Sequence, residues 1–484
     1  MIKKFSKDLS AGTIQVVLNQ LAGLFVFIII SRSLDKPGYG ELNWSLAFLV
    51  FLTSIMSMRL EQVVVKRIAA GENPADIFTL FSGHILITGS LLYIFLIGSS
   101  FIFPSFFEKH YLLLILAISQ LLIFFASPFR QLANGRELFG YLAIISVTAN
   151  VVRVLLLLGV LMFSSLDIKK VCFIYIFSSL AELLVSIYLS KFRMKIAPGK
   201  KWNFSNYFLL INESLPQIWA AILYASIARI DWILLGLLTT QAVTAEYSFA
   251  YKVFELSPIP LLVLSPILLS RFSRFFNRFP ENSLIEKQQE LSLFIRFEMI
   301  LATFLPLILN ILWAPVIDSI TNNKYGSVNK NIFFILSLCI PFQYMTNLLW
   351  TINFTQNRLR LIFRITAITC LLIIAGDLVM IPYLNGTGAA FAFLFATVIE
   401  YLLYLNKSVL KNMKALWLPL ISCMIAAVVS GMVVEFTAIP VIYKVIIAAS
   451  LYIILLLVAK QIAKRDFSLI RRMVSEQGGG SSEQ

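Results

Sequence analysis

Arg229 and Asp231 stand two residues apart inside an apolar run from Leu215 to Leu238. Residues i and i+2 point to different sides of a helix, so these two do not neutralise each other. Each needs its own partner or ligand. A charge at mid-bilayer costs at least about 2.5–3.5 kcal/mol on insertion scales, and such residues face a bundle interior or a wet cavity. Other apolar runs carry Arg153, Lys252, Glu255 and Asp377, with Glu182 deeper in its run and Glu400 nearer the inner side. Lys252 and Glu255 have the i,i+3 spacing of a same-helix pair. Two accounts fit the set: interhelical ion pairs that fix packing, or groups that hold charged ligands. For the second, a guanidinium binds a phosphate through two parallel hydrogen bonds, whereas an ammonium acts as a point charge. Two neighbouring carboxylates favour a proton or metal cation between them.

Uncharged polar residues form stripes. Gly12, Gln15, Asn19 and Gly23 share one helical face; Gln343, Asn347, Thr351 and Thr355 form an i+4 stripe with Trp350 alongside. Such stripes serve helix packing in membranes, and amides, hydroxyls and an aromatic plane also suit sugars. Pro258, Pro260 and Pro266 each remove a backbone donor and bend their helix. Cys172, Cys339, Cys370 and Cys423 lie in apolar runs without metal spacing and read as small core hydrophobes.

The elements that position these residues are membrane helices. The chain has 484 residues, 59% hydrophobic and 13% charged, about half the charge of a soluble domain. Apolar runs near the roughly 20 residues of a bilayer-spanning helix recur from end to end, giving fourteen candidate spans from 10–31 to 442–459. With the N-terminus in the cytoplasm, 29 of the 40 lysines and arginines fall on the inner side, 8 on the outer side and three within spans. This asymmetry puts both termini in the cytoplasm. It also explains the net charge of +15 without nucleic acid. The N-terminal apolar stretch outruns a signal sequence and reads as a retained first helix.

The longest inner connections are Lys191–Asn206 and Arg271–Arg296. The first divides the chain into an N-lobe (1–190, spans one to six), a cytoplasmic loop (191–206) and a C-lobe (207–410, spans seven to twelve). Spans thirteen and fourteen and a basic tail follow in 411–473, then a flexible linker-like tail in 474–484. The second connection reads either as an amphipathic helix on the inner membrane surface or as a solvated loop. Gly40-Glu41-Leu42-Asn43-Trp44-Ser45 and Ala245-Glu246-Tyr247-Ser248-Phe249-Ala250 place a small residue and a glutamate at corresponding points of the two lobes. That relation fits parallel repeats about an axis along the membrane normal.

The segment "LPQIWAAILYASIARIDWILLGLLTTQAVTAEYSFAYKVFEL" resembles the seventh-span signature of Wzx-type polysaccharide flippases of the MOP superfamily: an early proline, Arg-x-Asp, Leu-Gly, then a Tyr-Ser-x-Ala turn. "DLVMIPYLNGTGAAFA" resembles the family's turn between spans eleven and twelve, and "SRSLDKPGYGELNWSL" its first outer loop. The resemblance covers nearly the whole chain.

It implies an all-α polytopic membrane protein of about 14 transmembrane helices, with two pseudo-symmetric six-helix lobes around a central cavity and two appended helices. The function it implies is movement of undecaprenyl-diphosphate-linked oligosaccharides to the outer leaflet of the bacterial cytoplasmic membrane, as a non-enzymatic transporter working by alternating access. Arg229, with Arg153 and Lys252, is then expected at the diphosphate. Asp231 and Asp377 are expected at a coupling sodium ion or proton, and Gln343, Asn347, Trp350 and Asn19 at sugars. No cofactor is expected; glycan-assembly proteins such as a polymerase are candidate partners. Asp377 departs from the family's usual asparagine, which makes a proton as suitable as sodium. Two alternatives stand beside this: a MATE-like multidrug exporter, whose cavity should be acidic or apolar, and a membrane-embedded polymerase or glycosyltransferase, which needs larger outer loops.

Overall fold

Helices account for the regular structure, and no strand occurs among the described residues. The structure is a computed structural model that describes residues 2–196, 199, 202–258, 260–261, 284–408 and 417–462. Pro266, the side chain of Gln15, residues 271–283 of the 271–296 connection and the tail beyond Ile462 lie outside the described residues.

The chain divides into two compact units, Met1–Ser248 and Phe249–Gln484. The first holds α1 (Ile2–Ser33), α2 (Lys36–Met56), α3 (Leu60–Ala69), α4 (Pro74–Ile102), α5 (Pro104–Lys109), α6 (Leu113–Gly135), α7 (Phe139–Phe163), α8 (Ile168–Tyr188) and α9 (Phe204–Leu238). The next helix, α10 (Gln241–Phe254), runs through the division. The second unit continues with α11 (Leu284–Thr321), α12 (Lys330–Ser337), α13 (Cys339–Thr355), α14 (Leu359–Lys407), α15 (Leu418–Glu435) and α16 (Val441–Val458). Among the described residues, ten helices are long and apolar enough to cross a membrane, eleven when the bent pair α2–α3 counts as one span. α14 holds two expected spans, for its helix breaks at Asn385 (φ 51°, ψ −134°). That break is the expected turn between spans eleven and twelve.

Local chemistry sets the helix ends. Asn73 caps α4 by accepting from Ala75 N–H, with Pro74 in the first turn. Asp167 caps α8 through Lys170 N–H at 2.8 Å, and Asn203 caps α9 through Ser205 and Asn206 N–H. Many large apolar side chains face outward: Phe95, Phe101, Met162, Phe163 and Val458 are all largely exposed, the pattern of helices whose solvent is lipid.

The compact units divide after Ser248, beyond the 191–206 loop. The reason is packing: α9 lies along α2 and α3, within the first unit. Close approach requires glycine there. A Cβ on Gly236 would fall 1.9 Å from the Trp44 ring, and Trp44 Nε1 donates to Ile233 O at 3.1 Å. The two repeated sequences also meet. Gly40 packs on the backbone of Gln241 and Ala245, Lys36 pairs with Glu246 at 2.7 Å, and Asn43 donates to Ser248 at 3.1 Å.

Candidate functional site

The sequence Ser57-Met58-Arg59 interrupts an apolar segment, and the helix breaks there. α2 and α3 are bent by 51°. Met58 (φ 50°) and Arg59 (φ 58°) both occupy the left-handed region, at a cost of about 1–2 kcal/mol each for non-glycine residues. Leu60 N–H bonds Ser57 O, not Met56 O, which frees the Met56 carbonyl from the helix ladder. His84, on α4, answers it: Nε2 lies 2.9 Å from Met56 O and Nδ1 lies 2.9 Å from the Tyr207 hydroxyl. A carbonyl only accepts, so Nε2 carries the proton, and the neutral ring accepts from Tyr207 at Nδ1.

Beside the break lies a cavity of about 790 Å³, walled by α2, α3, α6 and α9. Hydroxyls and amides line much of it: Thr53, Ser57, Gln62, Gln120, Gln131 and Tyr224. Three cations line it, Arg59, Lys66 and Arg130, with Glu61 as the acid among the lining residues. The cations are not equivalent. Arg130 is held by buried Glu182 and also donates to Ile123 O at 3.2 Å. Lys66 pairs with Glu213 at 2.8 Å, three-quarters exposed, a setting where ion pairs hold weakly. The Arg59 guanidinium makes no hydrogen bond or ion pair among the described residues; its backbone N–H faces Ser57 Oγ at 3.4 Å. Arg59 is therefore the cation most available to an anion.

Glu213 clips α3 to α9, taking Lys66 on one oxygen and Arg67 Nε on the other at 2.8 Å. Hydrogen bonds from Lys66 and then Arg67 hold its carboxyl below the ordinary carboxylate range. Because the folded-state value is depressed, this clip is complete at neutral pH and is lost as pH falls through the folded value. The thermal midpoint in detergent is expected to fall between about pH 5 and pH 3, and Glu213→Gln to remove part of that slope. Identical slopes in parent and variant would show that the clip contributes nothing.

None of the nine residues singled out from sequence lines this cavity. Arg229 stands nearest by register: Ala221 and Ala225 line it, and Arg229 is the next i+4 residue on that face of α9. Its guanidinium lies over the Trp232 ring at 5.1 Å and donates to Ala228 O at 3.0 Å. Arg153 joins a polar network. It sits over the Tyr175 ring at 4.1 Å and donates to Ser178 and Asn150 at 3.3 Å; Asn150 donates to Asn19 at 3.0 Å. Asp231 is fully buried, accepting from Tyr247 at 2.5 Å and from Trp232 N–H at 2.8 Å.

The remaining candidates belong to the second unit. Lys252 pairs with Glu255 at 3.2 Å, as the i,i+3 spacing predicts. Asp377 is fully buried. On α13, Gln343 Oε1 is buried without a hydrogen bond among the described residues, Asn347 is half-buried, and Trp350 stacks on Phe354 at 5.0 Å.

Sequence reading missed Arg59, Lys66 and Arg130 because the sidedness tally absorbed them as inner-loop charges. A signal was present: the apolar segment 43–58 is too short by itself to cross a bilayer, and Arg59 stands directly at its end.

The model of the polysaccharide biosynthesis protein family matches residues 6–276. No curated protein matches the sequence. Among solved structures, the fold is similar to the lipid II flippase MurJ in an inward closed conformation, at 15% identity and TM-score 0.71, over 92% of this chain and 97% of that one. It is also similar to an inward-facing MATE family multidrug resistance transporter of the MOP superfamily, at 12% identity and TM-score 0.63, over 89% and 100%. A MOP superfamily transporter from Pyrococcus furiosus matches at 11% identity and TM-score 0.55, over 83% and 94%. At these identities the likeness establishes the all-α, multi-pass transporter fold.

Proposed function

The chain belongs to the polysaccharide biosynthesis protein family, and from that premise we propose that it is a flippase for a polyprenyl-diphosphate-linked oligosaccharide. The cavity beside the break in span two receives the head group. The observation that carries this reading is Arg59, a cation without an ion-pair partner among the described residues, in a chamber otherwise rich in hydroxyls and amides. Arg59 binds the diphosphate, Lys66 exchanges its exposed pair with Glu213 for phosphate, and the amides meet the first sugars. Arg229, on the same face of α9, lies four residues past Ala225, about 6 Å along the helix axis, and offers the next phosphate contact along a path outward.

The arginine and lysine asymmetry supports a cytoplasmic opening for this cavity, with both termini inside a bacterial cytoplasmic membrane. Undecaprenyl diphosphate is the carrier such a membrane would supply. Coupling to sodium or protons through Asp231 and Asp377 completes the scheme; the burial of both carboxylates supports it. A drug exporter for organic cations is disfavoured by arginine at the cavity wall.

The test is reconstitution. Proteoliposomes holding the purified protein and a fluorescent undecaprenyl-diphosphate oligosaccharide should move it between leaflets, read by loss of protection from an external quencher. A parallel arm offers a fluorescent organic cation. Movement of the cation alone would replace this reading with the exporter.

A further inference from the structure

We infer that His84 is a positioning residue: its imidazole bridges the broken span two to the start of α9 and so sets where Arg59 stands in the cavity. The inference rests on the cavity reading above for its functional meaning, and on geometry for its substance.

His84 is buried, 1% exposed. Both ring nitrogens are used, at 2.9 Å each, on Met56 O and the Tyr207 hydroxyl. The Met56 carbonyl needs that donor because the break has taken its helical partner away. A straight helix through residues 56–60 would restore the Met56–Leu60 bond and return Met58 and Arg59 to ordinary dihedrals. The bent form therefore persists because something outside the helix holds it, which is how backbone strain survives at functional sites. His84 is a side chain placed to do so.

The neighbouring contacts point the same way. Gly83 admits the Trp202 ring, for a Cβ there would lie 1.9 Å from it. Trp202 packs against Tyr207 with ring centroids 5.2 Å apart, and Gly199 N–H bonds Thr79 Oγ1 at 2.5 Å. The segment entering α9 is thus fastened to α4 at Thr79, Gly83 and His84. Through His84 a displacement of α9 reaches the Met56 carbonyl, three residues from Arg59. Its two ring partners, Met56 O and the Tyr207 hydroxyl, belong to residues outside the cavity lining, so it acts through the backbone break.

The test uses the full chain in detergent micelles with a reporter thiol on α3, Gln62→Cys, which lines the cavity; Cys172, Cys339, Cys370 and Cys423 are all buried. Labelling by a water-soluble maleimide is timed. Losing one buried hydrogen bond should shift the bent-to-straight balance, and with it the labelling rate, about fivefold in His84→Ala. Tyr207→Phe, which keeps the ring, should shift the rate the same way by less. His84→Gln, which keeps an N–H for Met56 O, should restore the parent rate. A His84→Ala rate within about twofold of the parent overturns the inference. A His84→Gln rate equal to that of alanine also overturns it, since bulk rather than the bridge would then matter. If His84→Ala fails to elute as a single species, Tyr207→Phe decides, and an unchanged rate there counts against the inference. Inorganic pyrophosphate added to the reporter protein separates the two readings: no protection of the thiol sinks the anion cavity and leaves the His84 result standing.

Discussion

Arg59→Ala is expected to lower the initial flipping rate at least about tenfold while leaving expression and monodispersity at the parent level. A hydrogen bond to a charged group is worth about 1.5–3 kcal/mol, or roughly 10- to 150-fold, and phosphate offers a guanidinium two of them. Arg59 is the informative choice because its removal breaks no side-chain hydrogen bond or ion pair among the described residues. Arg130→Ala would instead leave buried Glu182 without its cation, and a broken buried pair typically costs about 3–5 kcal/mol of stability. Arg59→Lys keeps the charge and loses the fork, so an intermediate rate is expected. Arg229→Ala should slow transport with less effect on equilibrium binding of the lipid-linked substrate, because it lies beyond the receiving cavity. Transport by Arg59→Ala within about twofold of the parent would remove the diphosphate from this cavity.

Asp231→Asn is expected to abolish gradient-driven accumulation while substrate binding survives. One cation moving inward down the potential supplies about 2.3 kcal/mol per 100 mV, enough for roughly a 50-fold bias. The competing account is structural, since Asp231 accepts from Tyr247 at 2.5 Å and from Trp232 N–H at 2.8 Å, tying α9 to α10. Tyr247→Phe separates the two. It deletes the interhelical bond and spares the carboxylate, so coupling predicts that the gradient response remains. A purely structural role predicts that Tyr247→Phe and Asp231→Asn fail alike, with lowered thermal midpoints in both. Asp377→Asn carries the same expectation for the second unit and is measured independently. If Asp231→Asn still responds to imposed sodium and proton gradients like the parent, it holds no coupling ion.

The sequence alone determined the helices, their order and the basis for assigning their sides. Apolar runs of bilayer length leave no other way to satisfy the backbone in lipid, and the basic residues mark one side. It also located the first loop, now the break between α1 and α2, and the turn at Asn385. Both follow from local preferences of proline, glycine and asparagine that need no partner. The Lys252–Glu255 pair was legible for the same reason, since i,i+3 spacing is a property of one helix.

Only the tertiary structure decided what Arg59 is. In sequence it closes a short apolar segment and counts as one more inner charge. In the fold it occupies a left-handed turn held by His84, 25 positions later in the chain, and by Tyr207 far beyond. Arg153, conversely, looks like a free mid-membrane charge in sequence, yet the fold gives it Tyr175, Ser178 and Asn150. A buried charge is visible in a sequence, but its partner is not, because the partner is chosen by packing between helices distant along the chain. The same physics joins α9 to the first unit: a single glycine, Gly236, lets α9 approach Trp44, and that contact depends on both helices being in place.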